Sequence, residues 1–154
     1  MLETPHVVVG AAIAVKVGRP ELAIPLALIS HFILDHIPHW NPSFFTETKK
    51  FGHPARTSIY FSVAESFTAL FLGVFIAYRM LPNYVLAITV IAASFASVAS
   101  DVVKIPFFFW HSKNKWLSRW VDWERSIQVE TDNVLWGVTT QIIVILASLY
   151  WIFT

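Results

Sequence analysis

The stretch SHFILDHIPHW, residues 30–40, places three histidines and one aspartate among Phe, Ile, Leu, Pro and Trp. Within it, His31, Asp35 and His39 are spaced at i, i+4 and i+8, which puts them on one face of a helix. Imidazole and carboxylate groups brought together in this way are ligands for divalent metal ions. The spacing therefore predicts a metal-binding face.

Pro38 lies between the last two histidines of this stretch and is expected to bend or end the helix. His36 is about 100° around the helix from the face that carries His31 and Asp35. His39 stays on that face only if the helix continues past the proline. The pattern leaves open which of these two histidines is a ligand.

Other ionisable groups lie near the same end of their own apolar segments. His6 begins the first segment, Glu65 is about two turns into the third, and Asp101 lies in the last three turns of the fourth. A charged group inside a bilayer costs roughly 2.5–3.5 kcal/mol on the insertion scale, so charges gathered at one depth need a cause. We expect them to converge in one site, with Gln141 at the start of the fifth segment orienting a ligand.

A convergent site of this composition can bind a metal, relay protons, or pair internally with cations such as Lys104 and Arg56. Binding of a divalent metal is the main prediction, with zinc first and manganese or iron as alternatives. Glu65 or Asp101 is predicted to be the catalytic proton acceptor. The predicted metal ligands are His6, His31, Asp35, His39 and Asp101.

The composition defines the environment in which such a site would lie. The chain has 154 residues, of which 56% are hydrophobic and 14% charged, against about 25% charged in an ordinary soluble domain. A formal net charge of +1 gives no electrostatic reason to expect a nucleic-acid partner. The chain has no cysteine, which excludes disulfides and thiolate metal sites. We therefore expect a protein solvated by membrane lipid.

Five apolar segments account for most of the chain and predict an all-α membrane protein. They form a compact bundle of about five transmembrane helices in a single integral membrane domain, residues 1–154. A span needs about 20 apolar residues, and the first segment would rise only about 20 Å as a helix, so it is expected to be short and to form a hairpin with the second. The segments are residues 6–18, 21–37, 58–81, 84–110 and 133–153.

The stretch between the fourth and fifth segments predicts an additional, amphipathic helix near residues 115–127. Trp116, Trp120, Trp123 and Ile127 recur there at helical spacing. Tryptophan rings prefer the headgroup region, so this helix is predicted to lie at the membrane interface. Packing of the same face onto the protein's own core is the alternative. The other long connection, residues 40–57, is predicted to be a loop.

The basic residues predict the orientation in the membrane. With five crossings, the N-terminus and both long connections share one side, which carries seven lysines and arginines against three on the other. The excess predicts a cytoplasmic N-terminus and an outer C-terminus in the plasma (inner) membrane. Lys104 belongs to neither group and is expected to extend to the interface. The seven are Lys49, Lys50, Arg56, Lys113, Lys115, Arg119 and Arg125, and the three are Lys16, Arg19 and Arg79.

The first 60 residues or so resemble a family of small bacterial and archaeal inner-membrane metal-dependent hydrolases. The opening TPHVVVG, the Asp-His pair that closes the second segment and the later HPARTS element carry the resemblance. The Pro and first Asp of the family's Pro-Asp-x-Asp-His stretch, and the second His of its His-Arg-Gly-x-Thr-His-Ser stretch, are missing here. The resemblance implies a metal site supplied by His6, then Asp35 and His36, then His53, Arg56, Thr57 and Ser58.

These observations predict a membrane-embedded metal-dependent hydrolase. Its substrate would be a lipid or another membrane-associated ester or phosphoester, because the predicted site lies near the headgroup level. A non-enzymatic metal- or proton-handling protein, such as a transporter or channel subunit, is the alternative, and a structural membrane protein is a third. Few polar residues lie in the outer halves of the segments, which disfavours conduction by a single copy. The oligomeric state is not predicted.

Overall fold

The computed structural model describes residues 1–154 as seven helices without a strand, which confirms the all-α prediction. Each predicted apolar segment forms a helix, and two further helices lie in the long connections. In chain order they are α1 (Glu3–Val17), α2 (Pro20–Asp35), α3 (Phe44–Phe51), α4 (Arg56–Arg79), α5 (Tyr84–Phe109), α6 (Lys115–Ile127) and α7 (Val134–Phe153).

Helix α1 is the centre of the bundle and packs against α2, α4, α5 and α7. Its run of glycine and alanine allows these neighbours to approach closely. A Cβ on Gly10 would lie only 2.8 Å from the carbonyl oxygen of Ala93 on α5. Gly18 adopts the left-handed conformation, with φ of 67°, that turns the chain from α1 into α2. The predicted hairpin of the first two segments is therefore present.

Three helices, α4, α5 and α7, are long and apolar enough to cross a membrane. This supports a membrane protein, but the number is lower than the five predicted. Helices α1 and α2 have 15 and 16 residues, so they extend about 22–24 Å, less than the roughly 30 Å hydrocarbon thickness. The cause is early termination, since Gly18 ends the first segment and the second stops at Asp35.

The distribution of side chains is that of a protein solvated by lipid. Large apolar residues point outward, as with Phe67 (68% exposed) and Leu135 (80% exposed). The interior instead contains small residues and a group of fully buried polar ones, including His6 and His31. In water so large an apolar surface would drive association, whereas in a bilayer it is matched to its solvent.

Helix α6 has the predicted bounds and lies against α5. Val121 and Glu124 are its buried residues, whereas the Trp116 side chain is 78% exposed. One face of α6 therefore packs on the bundle, and its outermost tryptophan remains available to the membrane interface.

The prediction of a loop over 40–57 is wrong in part, because α3 forms there and ends at Gly52, with φ of 79°.

The chain leaves α2 at Asp35 and runs beside the segment that follows α6. The amide of Val129 donates to the Asp35 carbonyl at 2.8 Å, and the amide of His39 donates to the Val129 carbonyl at 3.1 Å. The amide of Thr131 donates in turn to the His39 carbonyl at 2.9 Å. These bonds hold the end of α6 against the end of α2, and this decides which side chains meet there.

Candidate metal centre

Five ionisable residues from four helices converge at one end of the bundle, and we call them the buried cluster. Helix α1 contributes one, α2 two, and α5 and α6 one each. Two overlapping groups within it hold their candidate ligand atoms within 4.8 Å of one another: His6, His31 and Asp101 form one, and His31, Asp35 and Glu124 form the other. The members of the buried cluster are His6, His31, Asp35, Asp101 and Glu124.

The orientation of His31 separates the two groups. Its Nδ1 lies 2.8 Å from the carbonyl oxygen of Ser97, so Nδ1 carries a proton and donates it. Nε2 then faces two carboxylate oxygens, at 3.1 Å from Glu124 and 3.5 Å from Asp35. A neutral imidazole presents a lone pair there, which repels carboxylates unless a cation lies between them. Either a second proton on His31 or a metal ion satisfies this geometry.

A histidine that binds a metal through one nitrogen commonly donates its other N–H to a carbonyl or carboxylate. The bond from His31 to Ser97 is of this kind. The group of His31, Asp35 and Glu124 uses the free Nε2, whereas the group with Asp101 would require the nitrogen already bonded to Ser97. The donor chemistry therefore favours the former.

His6 adds a further donor to that group. Its ring stacks on the His31 ring with centroids 4.2 Å apart, and its Nε2 lies 3.3 Å from an oxygen of Asp35. The side chain is fully buried, yet neither ring nitrogen has a hydrogen-bond partner. A buried polar atom left without a partner costs about 1–3 kcal/mol. A ligand role for His6 would remove that cost.

Lys104 is the side-chain cation of the site. Its Nζ lies 2.6 Å from Asp101 and 2.6 Å from Glu124, and the side chain is only 11% exposed. The expectation that Lys104 extends to the interface is wrong, because these two carboxylates hold it inside the bundle. The other oxygen of Asp101, Oδ2, is buried without a hydrogen-bond partner and lies 3.8 Å from His31 Nδ1.

Surrounding polar groups fix the carboxylates of the buried cluster. Ser100 donates to Glu124 at 2.9 Å, and Gln128 donates to Asp35 at 3.0 Å. The amino group of Met1 also contacts Asp35. Burial raises the pKa of Glu124, but the hydrogen bond that a doubly protonated His31 donates and the charge of Lys104 outweigh it and lower the pKa overall. Glu124 is therefore an ionised carboxylate.

Two predicted site residues lie outside both groups. Helix α2 ends at Asp35, so His39 is not on a continuous face with it. Its Nδ1 donates instead to the Ile37 carbonyl at 2.8 Å, and burial lowers the pKa of His39 to about 4. The carboxylate of Glu65 accepts the backbone amides of Glu3 and Thr4, at 3.0 and 2.6 Å. It caps the start of α1, and its predicted catalytic role remains a prediction.

The residues implied by the family resemblance do not all gather. His6 and Asp35 lie in the buried cluster, whereas His36 is exposed and hydrogen-bonds the Phe32 carbonyl. His53 lies in the exposed turn before α4, where its ring contacts the adjacent Pro54 carbonyl. Neither of these histidines belongs to either group. Among the other implied residues, Ser58 donates to Glu47.

Glu124 is the functional candidate that the sequence did not predict. It lies three residues after Val121 and four after Trp120, on the apolar face of α6, where a carboxylate is unexpected. A carboxylate at that position is the feature of the sequence that could have identified Glu124.

Gln141 was expected to orient a ligand. It instead accepts the Leu2 amide at 2.8 Å and donates to the Trp40 carbonyl at 2.9 Å, which ties α7 to α1 and to the segment after α2.

Comparison with known proteins gives no relative from which a role can be carried over. The chain matches no family model, no curated protein and no solved structure. The functional argument therefore depends on the residues of the buried cluster.

Proposed function

We propose that this protein is a membrane-embedded, metal-dependent hydrolase of a lipid or another membrane-associated ester or phosphoester. The divalent ion would be held by His6, His31, Asp35 and Glu124. The observation that carries the proposal is the position of His31 Nε2, within 3.5 Å of two buried carboxylates and beside His6, whose ring nitrogens both lack a hydrogen-bond partner. An ion at this position would satisfy all three features at once.

Two imidazoles and two carboxylates suit more than one metal. Zinc accepts nitrogen and carboxylate oxygen and is the first candidate. Manganese and iron are alternatives, because carboxylates make up half of the proposed set. Magnesium and calcium prefer oxygen ligands alone, which this set does not provide.

An ion held by these residues would supply a nucleophile at neutral pH, because a divalent metal lowers the pKa of bound water to about 7. Asp101 is the proposed proton acceptor, since its Oδ2 is free of hydrogen bonds while its other oxygen is held by Lys104. Lys104 places a fixed positive charge beside the site, where it would stabilise negative charge that develops on an ester or phosphoester. In this proposal, Asp101 acts on the proton rather than as a metal ligand.

We place the buried cluster at the cytoplasmic side of the inner membrane, with the N-terminus inside and the C-terminus outside. The charge asymmetry of the connections supports this orientation. The number of crossings does not affect it. The hairpin of α1 and α2 returns the chain to its starting side whether or not it crosses the whole bilayer, so three or five crossings give the same sides to all later segments.

A purely structural network is the second candidate, and the ion pairs of Lys104 favour it. Lys104 already neutralises part of the charge on Asp101 and Glu124. If His31 carried a second proton, it would donate to Glu124 and remove the lone-pair conflict without a metal. Transport is less favoured, because the ionisable groups of the buried cluster lie together at one end of the bundle.

Elemental analysis of the untagged protein, purified in detergent without added metal, tests the proposal. We expect about one zinc, manganese or iron per chain in the parent protein and none in a His31→Ala, Asp35→Ala double variant. A His36→Ala, His53→Ala double variant is the matched control, because both of its histidines lie outside the buried cluster. It should retain the metal.

Hydrolysis of ester and phosphoester lipids would then be measured with the parent protein and both double variants. Turnover that needs the metal and is lost only with His31 and Asp35 supports the hydrolase. A parent protein that remains free of metal after dialysis against each ion overturns it and leaves the structural network.

A further inference from the structure

A cavity of about 640 Å³ lies between α4 and α5 and is also lined by residues at the start of α1. Its size is within the range of small-molecule sites, which is roughly 300–1,000 Å³. The end of the cavity farthest from Asp101, which we call its deep end, is lined by Gly73, Val74 and Ile91, and most of the other lining residues are hydrophobic as well. Against the apolar part of this lining, a sugar would leave hydrogen-bonding groups unpaired. The lining therefore selects an apolar occupant for most of the cavity.

The other end of the cavity is charged and includes one member of the buried cluster, Asp101. Asp101 and Lys104 line it, together with Glu65 and Glu3. The Oδ2 atom of Asp101, which is buried and has no hydrogen-bond partner, is at this junction. A ligand in the cavity would thus have its apolar part between the helices and its polar part next to the proposed metal centre.

The length of the apolar part matches one leaflet of a bilayer. Ile91 and Asp101 are ten residues apart on α5, which corresponds to about 15 Å at 1.5 Å per residue. This is about half of the roughly 30 Å hydrocarbon thickness. A single acyl chain of a membrane lipid spans the same distance, from the ester level to the middle of the bilayer.

The rim of the cavity is on the lipid-facing surface of the bundle. Phe67, Leu70 and Phe95 line it, and each is more than half exposed, at 68%, 61% and 61%. Helices α4 and α5 are both candidate membrane spans. A lipid chain can therefore enter sideways from the bilayer without passing through water.

We propose that the cavity between α4 and α5 binds one acyl chain of a membrane glycerolipid, with its ester group beside Asp101 and Lys104. The binding of the chain depends on the cavity alone. The identification of that ester as the bond to be cleaved rests on the proposed hydrolase function.

Photo-crosslinking in phosphatidylcholine vesicles tests the proposal. The probe is a phosphatidylglycerol with a diazirine at the methyl end of one acyl chain, and the adducts are located by peptide mass spectrometry. We expect adducts to concentrate at the deep end of the cavity, on its buried lining residues Gly73 and Ser94. Adducts distributed over α7 and the outer faces in proportion to exposure would overturn the proposal.

A Val98→Trp variant fills the cavity, because Val98 lines it and is half-buried. Its matched control is Val103→Trp on the same helix, where Val103 is 53% exposed and does not line the cavity. Deep-end labelling should fall about tenfold in the first variant, which corresponds to about 1.4 kcal/mol, and remain unchanged in the second. Equal labelling in both variants contradicts the proposal.

Ser66→Phe at the rim, with Thr68→Phe as its control, repeats the test if Val98→Trp fails to fold.

Labelling of the His31→Ala, Asp35→Ala variant separates the acyl-chain proposal from the hydrolase proposal. Deep-end labelling that persists in that variant supports the lipid site whether or not the parent protein binds metal. A parent protein that binds metal and hydrolyses esters but shows no deep-end labelling keeps the hydrolase and overturns the acyl-chain site.

Discussion

Replacement of Glu124 by glutamine is the sharpest test of the proposed metal centre. The glutamine keeps the size of the side chain and can still accept the hydrogen bond from Ser100, but it removes the negative charge that faces His31 and Lys104. Lys104 retains Asp101 as a partner at 2.6 Å, so the substitution does not leave a buried cation unpaired. The main loss is a proposed metal ligand.

This arrangement predicts how far Glu124→Gln should lower metal affinity and Tm. Loss of an outer-shell partner typically lowers metal affinity by about 10–100-fold, so loss of a direct ligand should exceed about 100-fold. Breaking a buried ion pair costs about 3–5 kcal/mol, and the retained pair of Lys104 and Asp101 puts Glu124→Gln near the lower figure. At about 2–4 °C per kcal/mol for a chain of this size, Tm should fall by about 6–12 °C.

Metal affinity would be measured by competition with a chelator, and Tm in detergent with and without metal. Asp122→Asn is the control, because Asp122 lies on the same helix and is exposed. It should change neither quantity. Metal affinity that is unchanged in Glu124→Gln while Tm falls would refute the ligand assignment and show that Glu124 only pairs with His31 and Lys104.

Three further predictions concern other parts of the structure. Asp101→Asn should retain the metal but lower lipid hydrolysis by about 10²–10⁴-fold, as measured by metal content and turnover, because it removes the proposed proton acceptor. Gly137→Ala should lower stability in thermal unfolding by about 1–3 kcal/mol, since its Cβ would meet the Trp40 backbone, whereas Gly73→Ala should cost less because the contacts there are with side chains. Burial lowers the pKa of His39 from 6.5 to about 4. Between these two pH values the unfolded chain binds a proton at His39 and the folded chain does not. The free energy of unfolding should therefore fall as the pH falls from about 6.5 toward 4. His39→Gln should flatten that slope in pH-dependent melting curves, and an unchanged slope would contradict it.

Much of the helical architecture could be predicted from local patterns. The bounds of α6 follow from an asparagine cap at Asn114 and the periodic tryptophans, both of which are encoded within a few residues. The hairpin of α1 and α2 follows from Gly18. The helix α3 was missed because it has only eight residues, too few for a clear apolar period.

The buried cluster could be predicted only in part. His6, His31, Asp35 and Asp101 were identified because each lies at the same end of an apolar segment, and helices of similar depth bring such residues together. His39 is separated from them because α2 ends four residues earlier and the chain then pairs with the segment around Val129. A pattern of i, i+4 and i+8 assumes a continuous helix, and that assumption failed beside Pro38.

The sequence by itself determined the solvent of this protein and all of its helices except α3. Apolar runs of this length can satisfy their backbone hydrogen bonds in lipid only as helices, and the placement of the ionisable groups restricted them to one end of the bundle. Only the tertiary structure decided that Glu124 joins His31, from 93 positions away along the chain, and that a cavity lies beside Asp101. Both depend on how α5 and α6 pack against their neighbours, and packing over such separations is set by the shapes of many side chains at once.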